Sequence, residues 1–266
     1  MAANGRPFEQ IAAASPEMLG MLMLKNDLHA ARLDDHAQHA AVLDALADGA
    51  TAAVDMRQRF SGLSPRRIAG ELRINVATID DDPLVGTIWR FAEYRPRPPK
   101  ILLYARGLAP LAQALARAPA ARLLGDATIE DVFIAHELYH HLETTRTETP
   151  IARRHQATLF RIGKWRWRTG IAALAEIAAG AFAQGLLDLP CHPKVLDFVA
   201  GGCMDEWIST GCAVDFAGAI PGPGWLLKGG KLVKLGVKGE KGIHAANTGR
   251  TAARTCMRSR RASSTA

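Results

Sequence analysis

The 266-residue sequence predicts an α+β fold, mainly helical, with a small sheet placed before a histidine-bearing helix. Two observations carry this. Apolar residues recur at spacings of three and four over several long segments, and two short runs of strand composition stand together around a proline-rich turn. The order is helices, then strands, then helices, which does not alternate as a doubly wound fold would.

Residues 1–26 read as a flexible N-terminal segment and residues 27–222 as one folded domain. Residues 223–266 form a basic, Gly- and Ser-rich tail with little apolar periodicity, expected to be disordered. Leu33 to Val54 interleaves acids and histidines with Ala, Leu and Val at helical spacing. Ser64 to Leu72 predicts a capped helix, with Ser64 as N-cap, Pro65 in the first turn, and Ile68 and Leu72 on one face. Gly86 to Arg95 has strand composition. The turn Pro96-Arg97-Pro98-Pro99 follows, then the apolar run Lys100 to Tyr104, which suits a second strand. Leu108 to Leu124 is an Ala/Leu helix with a break near Pro119, and Thr128 to Leu142 and Ile171 to Leu187 are two more helices. Between these two, Lys164-Trp165-Arg166-Trp167-Arg168 alternates base and tryptophan, the period of a strand with one charged and one aromatic face. Such a strand is expected to be half-buried with its charged face in solvent. The sharper reading has it recognise an acidic substrate segment or nucleic acid.

Composition narrows the function classes. Hydrophobic residues make up 48% and charged residues 22%, which is globular. The most apolar stretch, Ile171 to Leu189, is interrupted by Glu176, Gln184 and Asp188, so no membrane span and no membrane partner are expected. Met1 to Glu17 carries Arg6, Glu9 and Glu17 and reads as no secretory signal. Cys191, Cys203, Cys212 and Cys256 show no C-x-x-C spacing and read as reduced thiols of a cytoplasmic protein. A structural zinc site on Cys191, His192, Cys203 and Cys212 would match no common module. The net charge of +7 and a pI near 9.5 point to an anionic partner such as nucleic acid. The charge is local, however: residues 225–266 carry a net +9 and residues 1–224 a net −2. Nucleic acid is therefore the disfavoured partner. The stretch PRRIAGELRINVATI has the look of a helix-turn-helix opening, but its second helix would run into Asp80-Asp81-Asp82, which phosphates repel. A helix leading through Ile74-Asn75-Val76 into the sheet is expected instead.

The chemistry lies in IEDVFIAHELYHHLE, residues 129–143, which contains H-E-x-x-H as His136-Glu137-Leu138-Tyr139-His140. At about 100° per residue, His136 and His140 stand about 40° apart and one turn up, so both imidazoles reach one Zn²⁺. Glu137 lies beside that face, placed to take a proton from water at the metal instead of ligating it. His141 is about 140° from His136 and points elsewhere. A chance match to the pattern is expected roughly once in a hundred such sequences. Catalytic zinc needs a third protein ligand and an open fourth position. A metzincin site is excluded, because Glu143 and Arg146 stand where Gly and His are required. Glu176 fits best, in an apolar helix where Ala179, Gly180 and Ala183 line its face and permit close approach to the first helix. Glu143, His155, His192 and Asp188 are lesser candidates, with Glu143 also placed to orient an imidazole from behind. Tyr139, Tyr104, His155 and several arginines stay open as donors to an oxyanion, and Lys100 to Tyr104 is taken as an edge strand able to hold an extended peptide.

IAHELYHHLE followed by E-x-x-A-x-x-F-A-x-x-L-L-x-x-P resembles the ImmA/IrrE-type zinc metallopeptidases, a gluzincin-like group of bacterial and phage proteins. The second pattern falls on Glu176, Ala179, Phe182, Ala183, Leu186, Leu187 and Pro190, and the resemblance covers residues 60–195. It implies a zincin-like metallopeptidase core, zinc held by His136, His140 and Glu176, and Glu137 as the catalytic acid/base. It also implies a zinc-dependent endopeptidase acting on a specific protein substrate, such as a transcriptional regulator. The alternative is a non-proteolytic regulatory or binding protein on the same fold. The chain departs from the family in the long insertion between its two metal helices and in its basic tail.

Overall fold

The computed structural model describes residues 12–85, 88–116 and 120–200. The basic tail, Pro119, Cys203, Cys212 and Cys256 lie outside them. Among the described residues the chain is a mixed α+β protein, mostly helical with three small sheets. No helix among them is long and apolar enough to cross a membrane.

The helices are α1 (Pro16–Lys25), α2 (Asp35–Arg59), α3 (Pro65–Glu71), α4 (Ala105–Leu115), α5 (Ile129–Thr145), α6 (Ile151–Arg154), α7 (Ala173–Leu187) and α8 (Val195–Ala200). The strands are β1 (Asn75–Ile79), β2 (Leu84–Val85), β3 (Ile88–Trp89), β4 (Ala92–Pro96), β5 (Pro99–Tyr104), β6 (Gln156–Ile162) and β7 (Trp165–Gly170). Local chemistry sets several boundaries. Ser15 caps α1 through Met18 N–H, and Asp34 caps α2 through Ala37 N–H. At α5 the Thr128 hydroxyl accepts from Asp131 N–H while the Asp131 carboxylate accepts from Thr128 N–H, a reciprocal box. Helix α3 leads directly into β1, as expected in place of a helix-turn-helix.

Three expectations are corrected. The segment 1–26 is not flexible throughout: Pro16–Lys25 is helical, with Leu19, Met23 and Leu24 buried against the core, because apolar residues recur there at helical spacing. The strand expected over Gly86 to Arg95 is divided, with β3 ending at Trp89 and β4 starting at Ala92. Lys100 to Tyr104 is not an edge. The order of the main sheet is β1-β5-β4, with β1 parallel and β4 antiparallel to β5, so the apolar KILLY run is the central strand and β4 is an edge. Its burial explains this: Ile101, Leu102, Leu103 and Tyr104 are all buried, as a strand flanked on both sides requires.

The core lies where α7 packs between α2 and α5 and α5 lies on the sheet. Helices α2 and α7 come closest. A Cβ at Gly49 of α2 would sit 2.1 Å from the Ala178 carbonyl oxygen of α7, so only glycine permits the contact. The bare N-terminus of α7 is tied to the start of the domain, where Asp27 accepts from Ala173 N–H at 3.0 Å and from His29 N–H at 2.8 Å.

Candidate metal centre

Helix α5 turns one stripe toward α7, and that stripe carries His136 and His140 one turn apart. Glu176 lies in the first turn of α7, where the helix dipole favours a carboxylate, and its side chain is buried. His136 Nε2 is 3.1 Å from Glu176 Oε2, His140 Nε2 is 3.5 Å from Glu176 Oε1, and the two Nε2 atoms are 3.3 Å apart. An ion bound tetrahedrally at about 2.0–2.1 Å spaces its donor atoms roughly 3.3–3.4 Å apart, so the triangle has the dimensions of one metal's ligand set. Two imidazole Nε2 atoms facing each other either share one N–H or direct both lone pairs at a metal ion. These three residues can hold a metal ion, and they form the one such group among the described residues.

The charges agree with the geometry. Burial on its own would raise the Glu176 carboxyl, but His140 and His136 outweigh it and hold the group down at about 2. Burial would lower His140; Glu176, Glu143 and Glu137 overcome it and hold the ring well above its usual value. Glu143 lies 3.9 Å from His140 Nδ1, beyond hydrogen-bonding distance but beside the ring nitrogen that faces away from the cluster.

Glu137 is buried and stands outside the ligand set. Its Oε2 accepts from Tyr94 N–H of β4 at 2.8 Å. Burial raises its carboxyl, and the imidazoles and Tyr94 N–H offset this only in part. Tyr94 also pairs with His141 through its hydroxyl, 2.8 Å from Nδ1, which fixes His141 toward the sheet and away from the cluster. A cavity of about 80 Å³ borders His136, Glu137 and Glu176, with Phe91, Val132 and Phe133 on its apolar side. The Phe91 and Phe133 rings stack at 5.0 Å.

The lesser candidates separate clearly. His192 lines the cavity but is not in the ligand set. Its Nδ1 accepts from Lys194 N–H at 3.2 Å, and burial pushes the ring down to about 4, so it is neutral. Its Nε2 makes no hydrogen bond among the described residues, although the Ile177 carbonyl lies toward the ring. The imidazole occupies the space a Cβ at Gly180 would fill, so Gly180 serves His192 and not the approach of α5. His155 is paired with Asp44 at 2.9 Å, and Asp188 is the exposed left-handed cap of α7; neither belongs to the site. Tyr139 donates to Asp48 at 2.6 Å and Tyr104 to Glu93 at 2.7 Å, so both hydroxyls are committed elsewhere. Cys191 is a buried free thiol. Tyr94 and Phe91 were not legible as site residues, because their place depends on β4 lying across α5.

No family model, curated protein or solved structure matches the chain. The candidate metal site therefore stands on its own geometry: two imidazoles and a carboxylate converging beside a buried glutamate and a small apolar cavity.

Proposed function

We propose that this chain is a zinc-dependent endopeptidase on a zincin-like core, acting on a specific protein substrate such as a transcriptional regulator. His136, His140 and Glu176 hold the ion and Glu137 is the catalytic acid/base. The observation that carries the reading is the triangle of donor atoms at tetrahedral spacing with a buried, non-ligating carboxyl on the wall of the same cavity. Two imidazoles and one carboxylate are a donor set of catalytic zinc, three protein ligands with the fourth position left for water or substrate. The resemblance to the ImmA/IrrE-type metallopeptidases points the same way.

Bound there, zinc supplies Lewis acidity, which makes water more acidic and polarises the substrate carbonyl. Everything else falls to the chain. Glu137, anchored through Oε2, takes the proton of the attacking water and delivers it to the leaving amine. Its raised pKa suits a group that must both accept and return a proton. The edge strand β4 holds the substrate. Tyr104 N–H bonds to the Phe91 carbonyl, so alternate pairs along β4 and β5 are hydrogen-bonded and the backbone groups of Ala92 and Tyr94 turn outward. Tyr94 N–H is taken by Glu137, and the Tyr94 carbonyl on the same edge is the group offered to an extended peptide.

The test compares wild type with Glu137→Gln, each loaded with zinc and incubated with a co-expressed candidate partner. Equal zinc content and a loss of cleavage of roughly a hundredfold or more are expected for the variant. Zinc retained by a wild type that cleaves nothing would assign the chain to the alternative, a binding or regulatory protein on the same fold.

A further inference from the structure

The β6–β7 hairpin takes no part in the candidate metal site, and beyond its base it buries neither of its faces. Cross-strand partners share a face, so Phe160 with Trp167 and Ile162 with Trp165 form one side, and Arg161 with Arg166 and Thr158 with Arg168 form the other. The apolar side was expected to be half-buried. Instead Phe160 is 51%, Ile162 69%, Trp165 83% and Trp167 62% exposed, with Phe160 and Trp167 stacked at 5.6 Å. The charged side is unbalanced. Residues 156–170 contain no acid. Lys164 at the turn, Arg166 and Arg168 have no ion pair among the described residues, and Arg161 donates only to the Gly163 carbonyl at 3.3 Å. The base of the hairpin is held, with Ala157 buried and Arg32 donating to the Leu159 carbonyl at 3.0 Å. An arginine directly opposite an arginine weakens a strand pair, and an apolar patch in water costs more. Both costs are removed by an anionic partner that takes up the apolar face.

We infer that the hairpin is a docking surface for an anionic lipid bilayer, its aromatic face entering the headgroup–acyl boundary and its cations holding it to the negative surface. The separation of the two faces selects this partner. A single nucleic-acid strand carries its phosphates beside its stacked bases, so its cations must border the aromatic platform, whereas all three arginines here lie on the reverse side. A second copy stacked face to face would gather eight cations with no acid among them. A bilayer attracts cations through a surface potential that reaches about 8 Å and needs no contact on the same face, while tryptophan and isoleucine enter its interface without requiring polar partners.

The experiment is co-sedimentation of the full chain with vesicles of phosphatidylcholine containing about a third phosphatidylserine, against pure phosphatidylcholine. Binding is expected only to the charged vesicles. Trp165→Ala/Trp167→Ala should weaken it about tenfold or more. Arg161→Gln/Arg166→Gln/Arg168→Gln should weaken it roughly a hundredfold, since each cation near such a surface contributes about fivefold. The net +9 of residues 225–266 also attracts these vesicles, so binding that survives both variants belongs to the tail and overturns the inference. Brominated lipids should quench the tryptophan emission of wild type much more than that of the binding-competent Trp165→Phe/Trp167→Phe. Equal quenching overturns the inference, as does binding to a single-stranded oligonucleotide, lost in the same variants, with none to vesicles.

Discussion

Asp48, on α2, accepts the Tyr139 hydroxyl at 2.6 Å, from the helix that carries His136 and His140, and the Arg146 guanidinium at 2.9 Å, from that helix's C-cap, and it also accepts from Arg154 of α6. Burial alone would raise its carboxyl, but the Tyr139, Arg146 and Arg154 hydrogen bonds outweigh that and hold it below the usual range. Replacing it with alanine strands a buried hydroxyl and a guanidinium, and should cost about 2–4 kcal/mol in urea unfolding. Because the folded-state pKa is the lower one, the Asp48 contribution is complete above the unfolded value and disappears as pH falls through the folded value. Urea midpoints followed into acid should therefore decline less steeply for Asp48→Asn than for wild type; identical slopes would contradict the role given to this carboxylate. Legibility at this scale follows sequence distance. His136, Glu137 and His140 are readable because one helical turn fixes their geometry, and Glu176 because a lone acid among alanines needs a partner. Asp48 looks like any acid on a helix, since its partners lie 91 and 98 residues away. Tyr94, 43 residues from Glu137, carries no local signal at all.

Helix α7 owes its position to two contacts that are far apart in sequence: Gly49 against the Ala178 carbonyl and Asp27 on Ala173 N–H. Gly49→Ala introduces a Cβ where the backbone of α7 already lies, so α2 and α7 must separate. The expected outcome is a loss of about 1–3 kcal/mol in unfolding free energy, together with weaker metal binding, because Glu176 moves with α7. Unchanged metal affinity in a destabilised Gly49→Ala would mean that α7 is positioned from elsewhere. The start of α3 was readable from Pro65 in its first turn, although Ser64 at the N-cap position makes no side-chain bond, and the β4–β5 turn was readable from its prolines. The rank of the strands was not. Whether Lys100 to Tyr104 is an edge depends on β1 pairing with it across 25 residues, which no local pattern records. The hairpin was readable as a strand with two unlike faces, but the exposure of its aromatic face depends on what the rest of the chain leaves uncovered.

At the scale of the molecule, the net charge of +7 describes residues 225–266, and the acids of the body carry the design. Glu137, Glu143 and Glu176 surround two imidazoles in a largely buried site, an arrangement that a cation at its centre would stabilise. The carboxylates raise the His140 ring above its usual value, and a metal ligand must be deprotonated, so metal uptake is expected to be coupled to proton release. The most direct measurement is zinc stoichiometry by elemental analysis, with affinity by competition against a chelator, for wild type, Glu137→Gln, Glu176→Ala and His140→Ala. One zinc per chain is expected for wild type and for Glu137→Gln, with affinity reduced roughly a hundredfold or more in the other two. A wild type that takes up no zinc when zinc is supplied, or the same affinity in all four proteins, would contradict the metal centre on which the account rests.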